Sequence, residues 1–209
     1  MDNKLFDNWK TIPNLISLIR IFMIPVFAVL FYGGHLGWAV LILFLSGLSD
    51  SLDGKIARRF NQTSELGKLI DPVADKLTQI TIAVMLYLFF RKSDVPELKM
   101  FSWVFLVFLF KELMMILLGF VMIFLGCKPI AAEIYGKVAT VVFYVFMVII
   151  ICFGPEVGAL RQLWTMPTLV LQILVGISAL LTIVAFFSYA PGSIRAVKTR
   201  KDTNTTEVE

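Results

Sequence analysis

The sequence predicts an all-α polytopic membrane protein, with six transmembrane helices behind an N-terminal amphipathic helix lying on the membrane surface. Three observations carry this fold class. Of 209 residues, 58% are hydrophobic and only 16% charged, and the mean hydropathy is +0.85. Soluble domains are about half apolar and a quarter charged. Six apolar stretches reach the roughly 20 residues that a spanning helix needs. Lys and Arg divide unevenly between the two sets of connections, as they do across a membrane. These features exclude a disordered chain, a coiled coil and most soluble folds.

The elements follow in order. The first ten residues, MDNKLFDNWK, alternate Leu5, Phe6 and Trp9 with charge. They lack the apolar run of a signal peptide, so a surface helix is expected. The spans fall near 14–33, 36–60, 64–90, 100–126, 131–153 and 167–189, joined by short connections. One domain over 1–197 and a polar, flexible tail over 198–209 are expected. Cys127 and Cys152 both lie in apolar segments, which excludes a disulfide-stapled scaffold. The aromatic content, including 19 Phe, reads as lipid-facing surface and interfacial belt.

One set of connections carries Lys4, Lys10, Arg58, Arg59, Lys68, Lys128, Arg195, Lys198, Arg200 and Lys201, and the other only Arg91, Lys92, Lys99 and Arg161. The positive-inside rule places both termini in the cytoplasm. The net charge of +4 and pI near 9.1 then fit anionic lipid headgroups rather than nucleic acid.

The chemistry concentrates in Gly47–Lys76, GLSDSLDGKIARRFNQTSELGKLIDPVADK. Asp50, Asp53, Asp71 and Asp75 all fall inside apparent spans. A carboxylate at bilayer depth costs about 2.5–3.5 kcal/mol on insertion scales. Asp50 and Asp53 share one face of the second helix, and Asp71 and Asp75 one face of the third. A short polar turn, Asn61-Gln62-Thr63-Ser64, would make these helices antiparallel neighbours. Both pairs then lie roughly 10–15 Å from the turn. Four facing carboxylates need protons or cations. Two divalent cations balance their charge, and all-oxygen ligation suits Mg2+ or Mn2+. The single histidine, His35, cannot build a histidine metal site. A metal pair is a known device for phosphoryl transfer.

Gly54, Ala57 and Gly67 lie on the aspartate-bearing sides. They suit either close helix packing or a flat ligand group. Arg58, one turn beyond Gly54, either binds phosphate or snorkels at the helix end. An ion or proton transporter is the alternative class, because intramembrane carboxylates mark ion pathways. Against it, the acidic residues cluster near one surface, and no inverted repeat of the pattern is present.

The run Asp50-x2-Asp53-Gly54-x2-Ala57-Arg58-x8-Gly67-x3-Asp71-x3-Asp75 resembles the signature of the CDP-alcohol phosphatidyltransferase family, at every position and spacing. The resemblance covers essentially the whole chain. It implies an enzyme that moves a substituted phosphate from CDP-diacylglycerol to an alcohol and releases CMP. It further implies Asp50, Asp53, Asp71 and Asp75 as metal ligands, Asp75 also as general base, and Gly54, Ala57, Arg58 and Gly67 as the bed for the cytidine nucleotide. A homodimer, a bacterial plasma membrane and a site facing the cytoplasm are expected on the same ground.

Within the family, Ile12-Pro13-Asn14-Leu15-Ile16-Ser17-Leu18-Ile19-Arg20, Gly67–Lys76 and Gly136-Lys137-x2-Thr140 are similar to phosphatidylglycerophosphate synthases. Arg20, Lys137 and Arg195 are then candidates to hold the phosphate of glycerol 3-phosphate. Their other reading is anchoring at the membrane edge. Two departures stand out: Lys111-Glu112 where those synthases carry Arg-Glu, and Val141-Val142-Phe143 where a Gln usually follows Thr140. Cardiolipin synthases of the same family, which use phosphatidylglycerol, and inositol-phosphate-using relatives are the alternatives. Lys111 and Glu112 are adjacent and point to different faces, so no pairing between them is required.

Overall fold

A computed structural model describes residues 11–59, 65–125 and 134–206. Side chains of 50–59 and 193–206 are among those not described. The expected surface helix over residues 1–10 and the turn at 61–64 lie outside the described residues.

Helix α1 spans Ile12–Tyr32. The Thr11 hydroxyl accepts from the Asn14 N–H at 3.4 Å, and a proline in the first turn needs no intrahelical donor. Gly34, at φ +78°, makes the left-handed step into α2, a conformation glycine adopts without a Cβ penalty. Helices α2 (Leu36–Arg59) and α3 (Glu65–Arg91) carry the aspartate-rich segment. Pro96 opens α4 (Pro96–Phe101), and a 3-10 turn over Ser102–Val104 leads into α5 (Phe105–Phe124). Helix α6 (Ile134–Phe153) and helix α7 (Thr168–Thr206) complete the chain. The connection between them folds back on α6. The Ala159, Leu160 and Met166 N–H groups donate to the Ile151, Cys152 and Phe153 carbonyls at 2.9, 2.7 and 2.8 Å. These bonds satisfy carbonyls that a helix end would otherwise leave without partners.

Among the described residues, five helices are long and apolar enough to cross a membrane: Asn14–Tyr32, Ile70–Arg91, Pro96–Met122, Ile134–Phe153 and Thr168–Tyr189. The second predicted span forms a helix of 24 residues, and its stretch Leu36–Ser49 is apolar. The fourth span starts at Pro96 rather than near 100. The charges of Glu97 and Lys99 mask its first turn in a hydropathy reading. Helix α7 continues as helical backbone past Tyr189 and through 198–206.

The helices pack in a closed cycle: α1 on α2 and α3, α3 on α5, α5 on α7, α7 on α6, and α6 back on α2. Among the described residues α2 and α3 each pack chiefly on α1. The turn at 61–64 and the side chains of 50–59, where the expected antiparallel pairing would form, lie outside the described residues. The apolar core fills the half of the bundle away from the aspartates. Phe90 stacks on Phe105 at 5.8 Å, Phe108 tilts against Phe143 at 5.0 Å, and Ile82, Leu86, Met147, Ile150 and Leu171 are fully buried. Large apolar side chains such as Phe22, Phe120 and Phe124 face outward, a surface that suits lipid rather than water.

Candidate active site

Asp71 and Asp75 stand one turn apart on α3, and both are half-buried. The Ser17 hydroxyl of α1 donates to Asp71 Oδ1. Asp75 is held from two sides: Gln79 Nε2 donates to Oδ2 at 2.8 Å, and the Tyr144 hydroxyl of α6 donates to Oδ1 at 3.1 Å. Each carboxylate thus has a donor from the bundle, which offsets the cost of placing it among apolar helices. Gly67 is buried in the first turn of α3. Asp50, Asp53, Gly54, Ala57 and Arg58 lie on the last part of α2. Their side chains fall outside the described residues.

A cavity of about 430 Å³ opens between α1, α2, α3 and α6. Arg20, Ser46, Asp75 and Tyr144 form its polar lining, and Leu43, Phe44, Val145, Val148 and Ile149 form an apolar wall. Arg20 is only 3% exposed, two turns into α1. A cation so placed is not an edge anchor; it faces the same space as Asp75. Lys137 is exposed in the first turn of α6, and it does not line this cavity. The Arg195 side chain falls outside the described residues.

Behind Asp75 lies a second polar cluster. Glu112 on α5 is 3% exposed, and its Oε2 is 2.9 Å from Lys76 Nζ of α3. Its Oε1 meets Lys111 Nζ, so the adjacent pair that sequence spacing left unpaired does pair. Gln79, Lys111, Glu112, Thr140 and Thr182 border a void of about 10 Å³, close to the space one water needs.

Sequence reasoning missed Ser17, Gln79, Tyr144 and the Lys76–Glu112 pair as partners of this region. Gln79 was findable, since it continues the four-residue spacing of Asp71 and Asp75. Ser17 and Tyr144 lie 54 and 69 residues from their aspartates, beyond any local spacing rule.

The donor set fits a hard divalent cation, because the side chains that converge here offer carboxylate and hydroxyl oxygen and no sulfur or imidazole. Among the described residues no three His, Cys, Asp or Glu side chains gather as a complete ligand set. Asp71 and Asp75 supply half of the predicted four.

A family model, CDP-alcohol phosphatidyltransferase, matches residues 10–185. The chain therefore belongs to the CDP-alcohol phosphatidyltransferase family. It is similar to a "Cardiolipin synthase (CMP-forming)" of Streptomyces coelicolor, 39% identical over 140 residues, 64% of this chain and 61% of the relative. It is also similar to a "CDP-diacylglycerol--glycerol-3-phosphate 3-phosphatidyltransferase" of Aquifex aeolicus, 35% identical over 132 residues, 62% and 68% of the two chains. A "Putative cardiolipin synthase" of Mycobacterium bovis is 47% identical over 76 residues, 36% of each. The chain thus spans less than two thirds of the Streptomyces relative and about a third of the mycobacterial one.

Proposed function

We propose that this chain transfers a phosphatidyl group from CDP-diacylglycerol to glycerol 3-phosphate, giving phosphatidylglycerophosphate and CMP. The observation that carries this reading is the cavity in which Arg20, Asp75 and Tyr144 meet an apolar wall. A lipid with a charged headgroup needs both surfaces at once. Its acyl chains stay against Leu43, Phe44 and Val145 while its phosphates reach the polar end.

In this mechanism Asp75 accepts the proton of the acceptor hydroxyl as that oxygen attacks the donor's phosphatidyl phosphorus. A new phosphorus–oxygen bond forms, the bond to CMP breaks, and CMP leaves with the electron pair. Gln79 and Tyr144 fix the carboxylate's direction, so little reorganisation is needed when the proton moves. Asp50, Asp53, Asp71 and Asp75 would hold Mg2+ or Mn2+, which supplies charge stabilisation at the departing CMP oxygen. Gly54, Ala57, Arg58 and Gly67 form the bed for the cytidine nucleotide. Arg20, buried where no solvent competes, holds a phosphate. The enzyme sits in the plasma membrane with this end toward the cytoplasm, where CMP is released.

A second reading, cardiolipin synthesis from phosphatidylglycerol, is favoured by the similarity to the Streptomyces relative of that name. Product analysis separates the two. Purified protein receives CDP-diacylglycerol and Mg2+ with glycerol 3-phosphate, phosphatidylglycerol or inositol phosphate, and the lipid product is identified. Phosphatidylglycerophosphate is the expected product. Cardiolipin formed from phosphatidylglycerol alone would move the assignment to the second reading.

A further inference from the structure

A second cavity, of about 470 Å³, lies at the other end of the bundle, where three connections meet. Tyr32 and Gly34 come from the end of α1 and the turn that follows, Lys92, Ser93 and Asp94 from the step between α3 and α4, and Glu156 from the connection after α6. Phe31, Met85, Leu88 and Phe89 give it an apolar wall. It shares no lining residue with the cavity of Asp75. Helix α3 separates Asp75 from Arg91 by about 24 Å, so these polar groups do not touch the reacting atoms. The candidate spans end at Tyr32, Arg91 and Phe153 and begin at Pro96, which puts the cavity at the level of lipid headgroups.

Its polar groups are of two kinds. Lys92 Nζ lies 4.8 Å from the Tyr32 ring centre and donates to the Tyr32 hydroxyl at 3.1 Å. That contact fixes the ammonium and leaves its other N–H groups and the Tyr32 O–H for a ligand. Ser93 is 8% exposed, and its hydroxyl oxygen accepts from the Val95 N–H at 3.0 Å. The Ser93 proton has no acceptor among the described residues, and a buried donor calls for one. Asp94 and Glu156 supply two carboxylates, and among the described residues neither forms an ion pair. Glu156 is held at φ +62°, a left-handed conformation that is costly for a residue with a side chain. The nearby guanidinium groups turn elsewhere: Arg91 lies over the Trp103 ring at 5.1 Å, and Arg161 donates to the Glu156 backbone carbonyl at 3.2 Å. None of His35, Arg91, Glu97, Lys99 and Arg161 lines the cavity.

We propose that this cavity binds the headgroup of a zwitterionic phospholipid carrying a primary ammonium beside its phosphate, of which phosphatidylethanolamine is the simplest. The phosphate accepts from Lys92, Tyr32 and Ser93, and the ammonium donates to Asp94 and Glu156. Acyl chains cover the apolar wall and leave past Tyr32 and Leu88, which are exposed on the outer surface of α1 and α3. A soluble zwitterion would leave that wall uncovered, and an anionic lipid would set no cation against the two carboxylates. The lipid belongs to the leaflet opposite the catalytic end. The inference does not depend on the phosphatidyl-transfer reading.

The experiment is a titration of the purified full chain in detergent with dihexanoyl phosphatidylethanolamine, the bound fraction being read by native mass spectrometry. Dihexanoyl phosphatidylmethanol, which has the phosphate but no ammonium, and free ethanolamine phosphate, which has no acyl chains, are the comparisons. The wild-type protein should bind phosphatidylethanolamine about tenfold or more tighter than either, the scale of one charge-assisted contact. Asp94→Asn/Glu156→Gln should weaken phosphatidylethanolamine about tenfold and leave phosphatidylmethanol no weaker. Lys92→Met should weaken both lipids about tenfold. Asp75→Asn should leave phosphatidylethanolamine binding within about twofold, because it alters only the other cavity. Thermal unfolding confirms that each variant is folded, and the comparison of ligands on the wild-type protein needs no variant. Equal affinity for the two lipids, or no effect of the double substitution, overturns the proposal. So does ethanolamine phosphate binding as tightly as the lipid, which would make the ligand soluble, or loss of binding in Asp75→Asn, which would place the lipid in the catalytic cavity.

Discussion

Replacing Gly136 with alanine should destabilise the protein, and removing one distant oxygen should reverse the sign. A Cβ built on Gly136 would lie 2.6 Å from the Tyr189 hydroxyl oxygen, while the next atoms of that ring are at 3.4 and 3.5 Å. Contacts below about 3 Å are repulsive, and those near 3.4 Å are tight but tolerable. Tyr189 is 7% exposed, so its ring has little room to swing away. Overpacking of this kind costs about 1–3 kcal/mol. Alanine in a helix otherwise gains roughly 0.5–1 kcal/mol over glycine. The net loss should be about 1–2 kcal/mol, or roughly 3–6 °C in the unfolding midpoint. In a Tyr189→Phe background the clashing oxygen is gone, and Gly136→Ala should be neutral or stabilising by up to about 1 kcal/mol. The assay is thermal unfolding of the four proteins of this cycle in one detergent, followed by tryptophan fluorescence. Equal destabilisation by Gly136→Ala in both backgrounds would refute the close approach of α6 to α7 at this point.

Other outcomes follow from the same geometry. Asp75→Asn should abolish turnover while leaving CDP-diacylglycerol binding largely intact, checked by equilibrium binding of labelled donor. Tyr144→Phe removes one of the donors to Asp75 and should lower kcat about tenfold with little change in the unfolding midpoint; an unchanged kcat would show that this hydrogen bond does not orient the base. Glu112→Gln leaves two ammonium groups beside a neutral side chain and should cost about 3 kcal/mol, read as a fall in the unfolding midpoint that Lys111→Met in the same chain relieves.

Much of the fold was legible because hydropathy reports directly on what a membrane demands. Each predicted span is helical through most of its described residues, and the spacing of the aspartates alone points to the candidate site. What was not legible is instructive. Spacing along a chain says nothing about a third helix, and α1 packs on both α2 and α3. The partners of the carboxylates, Ser17 and Tyr144, come from other helices, so no period reveals them. Lys111 and Glu112 leave their helix in different directions, yet a long lysine side chain bends back to its neighbour when burial leaves no better partner. Arg20 stood out in sequence as a cation inside an apolar helix, and burial beside Asp75 gives that oddity a place in the site.

The central claim is that the aspartate cluster drives metal-dependent transfer from a CDP-linked lipid. The most direct measurement is CMP release from CDP-diacylglycerol by purified wild-type and Asp75→Asn protein, each with Mg2+ and with excess chelator, in the presence of glycerol 3-phosphate and phosphatidylglycerol. The account predicts CMP only from the wild-type protein with Mg2+. Full release in chelator, or release by Asp75→Asn at the wild-type rate, would contradict it.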